Sequence, residues 1–111
     1  MKSLLITFFV LTLFTFADGP FKNLHVLEID NKDDMKSFMK SISRDLGVKC
    51  IYCHDIDDKS IDTKKKKIAR HMMKMIKEQN ETYFSWKNAP QITCWTCHRG
   101  ATEVETIRPK K

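Results

Sequence analysis

Cys50-Ile51-Tyr52-Cys53-His54 is repeated in kind by Cys94-Trp95-Thr96-Cys97-His98, and the four cysteines of the chain all fall in these two pentapeptides. C-x-x-C-H is the attachment signature of c-type haem: the two thiols form thioether bonds to the macrocycle and the next His binds the iron. The repeat therefore predicts two covalent haem c groups, with His54 and His98 as proximal ligands. Other uses of four cysteines fit less well. Small exported domains often pair Cys in disulfides, but that would give the two adjacent His no part. Zinc sites of paired C-x-x-C usually place ~15–20 residues between the pairs. Here residues 54–93 intervene. A thioredoxin-like C-x-x-C needs a βαβ context, and the chain offers no strands for one.

Upstream of each pentapeptide the pattern is helical. Met35, Phe38, Met39, Ile42 and Leu46 recur at three- and four-residue steps, so Asn31–Leu46 reads as an amphipathic helix. Asp30 or Asn31 can cap it and Gly47 can close it. A second helix runs from Asp62 or Thr63 to about Asn80, with Ile68, Met72, Met75, Ile76 and Gln79 as its inner stripe and Ala69 beside it. Lys64–Lys67 open that helix and most of them are expected in solvent. Residues 55–62 form a polar acidic loop. Thr82–Trp86 is an aromatic cluster expected on a porphyrin or the core, Lys87–Pro90 is a turn, and 101–111 is a loosely held tail. The segment 18–30 is an arm rather than a strand, since no second strand exists to pair with it. The expected fold is mainly α, a small dihaem unit of two helix-then-CxxCH repeats (about 31–54 and 62–100) with little or no sheet.

The N-terminus reads as a cleavable signal. Lys2 supplies the positive charge, Leu4–Phe16 the apolar stretch and Thr15-Phe16-Ala17 a small-x-Ala cleavage site. Residues 1–17 are then removed, leaving a single domain over 18–111. The apolar run is short of the ~20 residues that span a bilayer, and no Cys near the cleavage site offers a lipid anchor. These features predict a periplasmic protein. The formal charge of +6 falls toward neutral once haem propionates are added. A face for acidic redox partners is compatible with it. Nucleic-acid binding is not, because the Lys run is short and no recognition module accompanies it.

The sixth iron ligands must come from elsewhere, and the candidates are the Met residues, His25 and His71. Periodicity favours Met39 over Met35 for the first haem and Met72 over Met73 or Met75 for the second, without deciding either. Met ligation raises the potential relative to His, which suits a carrier.

Four segments carry a family resemblance: Asn23–Leu27; Met39 through Leu46-Gly47-Val48-Lys49 to His54; Asp62 through Ala69-Arg70-His71-Met72; and Ile92 through Cys97-His98-Arg99-Gly100. Together they resemble the cytochrome c subunit family of photosynthetic reaction centres. The resemblance implies that a helix before each motif supplies the Met ligand, Met39 with His54 and Met72 with His98. It also implies that Arg70 and Arg99 lie near propionates, where a guanidinium forms charge-assisted bonds. Better-known members carry four haems on a longer chain and are often lipid-anchored, so this chain looks like a half-length, dihaem relative. The expected role is non-catalytic transfer of single electrons between periplasmic redox proteins, with a membrane-bound redox complex as one candidate partner. The competing expectation is a haem enzyme or gas sensor, peroxidase-like, with an open iron position.

Overall fold

The computed structural model describes residues 19–111, so the proposed signal lies outside the described residues. Helix α1 spans Lys32–Leu46, α2 spans Lys64–Thr82 and the short α3 spans Cys94–His98, with a 3-10 turn at Cys50–Tyr52. Among the described residues there is no strand. The mainly α expectation holds.

Local chemistry explains each boundary. The Asn31 side chain accepts from the Asp34 N–H at 2.9 Å and donates to the Asp34 carboxylate at 2.7 Å. Asp33 and Asp34 then sit against the positive end of the α1 dipole. At the other end Gly47 adopts φ 65. Its N–H reaches the Arg44 carbonyl while the Val48 N–H reaches that of Ser43, the paired bonds of a Schellman close. Thr63 caps α2 by accepting from the Lys66 N–H at 3.1 Å. That helix runs two residues past the expected Asn80. Glu81, in the added turn, lies 3.7 Å from Lys77 across one helical turn, and the Tyr83 and Phe84 N–H groups both close on Gln79.

The α1 stripe is as expected: Met35, Phe38, Met39, Ile42 and Leu46 are all half-buried. The α2 stripe is so only in part: Ala69, Ile76 and Gln79 are half-buried as expected, whereas Ile68, Met72 and Met75 are not. Its half-buried residues are Lys66, Ala69, Arg70, Met73, Ile76, Gln79 and Asn80, a face rotated from the expected one. Ile68, Met72 and Met75 are 56%, 37% and 42% exposed. Periodicity alone locates an apolar stripe but not which of two adjacent stripes meets protein. Here the polar ends of the packed face (Lys66, Arg70, Asn80) hold backbone and loop groups, and that contact outweighs hydropathy. In the aromatic cluster Phe84 stacks at a tilt on Trp86, with centroids 5.7 Å apart, and Tyr83 and Trp86 present more than half their surface outward.

The arm 19–30 is held at both ends. Asn23 donates to the Ser60 carbonyl and the Asp62 carboxylate, each at 2.8 Å. Glu28 pairs with Lys77 at 3.3 Å. Between these ties Val26 and Leu27 line a groove of about 660 Å³ with Phe38 and Ile42 of α1, Met73 and Ile76 of α2, and Cys94. No described residue is fully buried. Among the described residues the apolar side chains are arranged in half-buried stripes and an open groove.

Candidate functional site

Both pentapeptides are entered through a backbone clamp from the preceding helix. In the first, the Ser43 hydroxyl of α1 donates to the Val48 carbonyl, and the Val48 N–H donates back to the Ser43 carbonyl at 3.0 Å. In the second, the Asn80 side chain of α2 donates to the Ile92 carbonyl and accepts from the Ile92 N–H, both at 2.9 Å. Val48 and Ile92 each stand two residues before the first Cys of their motif. The same position is fixed twice by different chemistry.

The exits match as well. The His54 Nδ1 lies 3.2 Å from the Lys59 carbonyl, and the His98 Nδ1 lies 2.9 Å from the Ala101 carbonyl. A carbonyl can only accept, so in each ring the Nδ1 carries the proton and donates. The lone pair is then on Nε2, the nitrogen left to bind iron. A second hydrogen bond that fixes the ring of a metal-ligating His is the usual outer support of such a site. Around the first motif that support extends further. The Lys66 Nζ donates to the same Lys59 carbonyl at 2.9 Å and to the Ile61 carbonyl at 2.8 Å. Lys64, Lys65 and Lys67 are exposed, as expected of most of the run, whereas Lys66 is drawn inward, and desolvation pushes its ammonium pKa down, helped by the neighbouring Arg70. Asp55 and Asp58 shape the intervening loop by accepting from the N–H groups of Asp57, Asp58 and Ser60.

Helix α2 connects the two motifs. At its start the Thr63 hydroxyl, besides capping, donates to the Cys53 carbonyl at 2.5 Å. At its end Asn80 holds Ile92. A helix of this length spans about 28 Å at ~1.5 Å per residue.

No disulfide joins any of the four cysteines. Burial pushes the thiols of Cys53 and Cys94 above their ordinary pKa, with Lys65 opposing the shift at Cys53 and Asp45 adding to it at Cys94. Among the described residues no three His, Cys, Asp or Glu side chains converge as a metal-binding group, so the donors are not arranged as a zinc site. Paired thiols, an oriented imidazole at the end of each turn, and unclosed apolar surface beside them fit haem c. The residues that would hold it are Cys50, Cys53 and His54, and Cys94, Cys97 and His98.

The remaining expected residues are dispersed. Met39 is half-buried on α1, Met72 stands on the exposed apolar stripe of α2, and Met73 lines the groove that ends at Cys94. The Arg70 guanidinium donates to Asp62 at 2.7 Å and to the Asn23 carbonyl at 3.1 Å, which leaves three of its five N–H donors uncommitted. Arg99 caps α3 in the left-handed region at φ 50 and is exposed. Sequence reasoning missed Ser43, Thr63 in its second role, Lys66 and Asn80. Their common signal is position: each sits on the helix end nearest a pentapeptide.

Fold and donor set define a c-type cytochrome. The family model for the photosynthetic reaction centre cytochrome C subunit matches residues 15–108, and the chain belongs to that family. Membership carries with it covalent haem c, electron transfer and a redox partner or membrane complex. No solved structure matches the chain.

Proposed function

We propose that this chain is a periplasmic dihaem cytochrome c that carries single electrons between redox partners and is not an enzyme. The observation that carries the reading is the repeated His geometry: both rings donate Nδ1–H to a backbone carbonyl within five residues downstream, leaving Nε2 for iron. Haem supplies a one-electron couple, iron moving between its ferrous and ferric states. The chain's part is to attach, orient and shield. Cys50 and Cys53, and Cys94 and Cys97, form the thioethers. His54 and His98 are the proximal ligands.

Met39 and Met72 are the proposed sixth ligands. In support, Met72 is the centre of the exposed stripe Ile68, Met72, Met75, an apolar surface of the right character to lie against a porphyrin. Met73 already packs in the groove between the helices. Arg70 and Arg99 are proposed to meet propionates with the donors they have free. If Met39 and His54, and Met72 and His98, hold the two irons, the chain would leave no open coordination site for a substrate, which separates a carrier from a peroxidase or gas sensor.

The test is an optical spectrum of the oxidised and dithionite-reduced protein, made with haem-attachment machinery, before and after carbon monoxide. Low-spin spectra with a methionine-to-iron band and no carbon monoxide response are expected. A large carbon monoxide shift at neutral pH would show an open iron and favour the enzyme or sensor reading. Fractionation of the native host tests location: recovery in the periplasmic fraction is expected, and recovery in the cytoplasm would contradict it.

A further inference from the structure

The segments flanking the two pentapeptides meet in a backbone crossing that neither motif requires. Gly47 stands three residues before Cys50, and Gly100 two residues after His98. The Gly100 N–H donates to the Asp45 carbonyl in the last turn of α1 at 2.8 Å, and α1 packs against α3. A β-carbon placed on Gly47 would stand 2.1 Å from the Gly100 carbonyl oxygen and 3.0 Å from its carbonyl carbon. That neighbour is backbone and cannot swing aside. A β-carbon on Gly100 would instead meet only the edge of the Trp95 ring at 3.6 Å, an ordinary contact. Both glycines occupy the left-handed region, at φ 65 and φ 84.

We infer that the Gly47–Gly100 crossing is a positioning device: it locks the entry of the first motif to the exit of the second and so fixes the separation of the two groups they hold. The inference rests on the two-haem reading. Helix α2 is another link between the motifs, with Thr63 at its start bonded to Cys53 and Asn80 near its end bonded to Ile92. The crossing supplies a separate link, formed by Asp45 and Gly47 against Gly100. Two links at different points restrain a separation that one cannot. The contact needs glycine at Gly47 for two reasons, backbone conformation and space, and at Gly100 only for the first.

Asn tolerates the left-handed region better than other side chains, so the pair G47N and G100N separates the two reasons. Both variants keep the backbone conformation accessible, and only G47N drives a β-carbon into the Gly100 carbonyl. To reach even 3.0 Å the crossing must open by about 0.9 Å. The experiment is pulsed EPR of the fully oxidised holoprotein, which reads the iron–iron distance distribution, after intact mass has counted the haems. Wild type should give one narrow distribution that persists in urea below the unfolding transition. G100N should superimpose on it, and G47N should be displaced by about 1 Å or more, or broadened.

A broad or multiple distribution in wild type, or a G47N trace identical to wild type, would overturn the inference. Should G47N fail to take up haem, the wild-type distribution in urea decides. Fewer than two haems by mass would remove the two-haem reading itself. Two haems with an unmoved distance would remove only the positioning role.

Discussion

The two pentapeptides share a sequence signature but are held in different ways. Cys50–Tyr52 is a 3-10 turn, and its His54 depends on a carbonyl five residues away within an acidic loop, itself gripped by Lys66. Cys94–His98 is a true helical turn. There the Thr96 hydroxyl accepts from the Thr93 N–H at 2.9 Å, and His98 bonds a carbonyl only three residues on. The second His is fixed within its own turn while Asn80 of α2 holds the entry to that turn, whereas the first His is fixed by the loop and by Lys66 of α2. A motif can thus settle which atoms do the chemistry while the surrounding chain settles how firmly they are held.

The strongest way to break the comparison is to remove one attachment site at a time. The double substitution C94S/C97S should abolish one haem by mass and leave the other bound, and C50S/C53S should do the reverse. Loss of both haems from either variant would mean that the two sites do not load independently. Next in size is the sixth ligand of the second site. Met72→Ala should lower one midpoint potential by on the order of 0.1 V, within the roughly 0.8 V range that axial ligands command. It should also open that iron to carbon monoxide. Met73→Ala should do neither, costing stability through the groove it lines. The reverse pattern would exchange their roles.

Much of this arrangement is readable in the chain itself. The α1 boundaries follow from Asn31 and Gly47, and the α1 face follows from period 3.6, because a single apolar stripe is present and opposed by Lys36, Lys40 and Arg44. The α2 face is not readable in the same way. Ala69, Met73 and Ile76 compete with Ile68, Met72 and Met75 for the inner side, and the helix carries two adjacent apolar stripes. Which one meets protein depends on the arm and on α1, partners distant in sequence. Lys66 is invisible for a related reason. One lysine among four is singled out only when the 54–62 loop folds back on the helix. The pentapeptides were legible in full, because C-x-x-C-H states its chemistry in consecutive residues.

Two milder substitutions sharpen the contrast between the clamps. Asn80→Ala removes two part-buried hydrogen bonds to Ile92, each worth about 1 kcal/mol. It should lower stability by about 1–3 kcal/mol in thermal unfolding of the holoprotein. An unchanged transition would mean that the second motif needs no help from α2. Lys66→Met frees the Lys59 carbonyl and should loosen His54 alone, visible as new heterogeneity in one of two ferric EPR signals. Equal change in both signals would contradict the division between the sites.

The smallest effect concerns acid. The Arg70 hydrogen bond holds the Asp62 carboxyl below its ordinary range, assisted by Asn23 against a partial desolvation cost. A depressed folded-state pKa means that this contribution to stability is present above about pH 4, the unfolded carboxylate value. It is lost as pH falls through the folded value. Asp62→Asn should therefore flatten the acid limb of the stability profile and release the arm at Asn23. Retention of the full acid dependence in that variant would place the effect elsewhere.

The most direct test of the whole account is the intact mass of the denatured, purified chain, since thioether-bound haem survives unfolding. Two haems per chain, with no free thiol left to alkylate, is the result predicted here. A chain at its apo mass, with four alkylatable thiols or two disulfides, would contradict it.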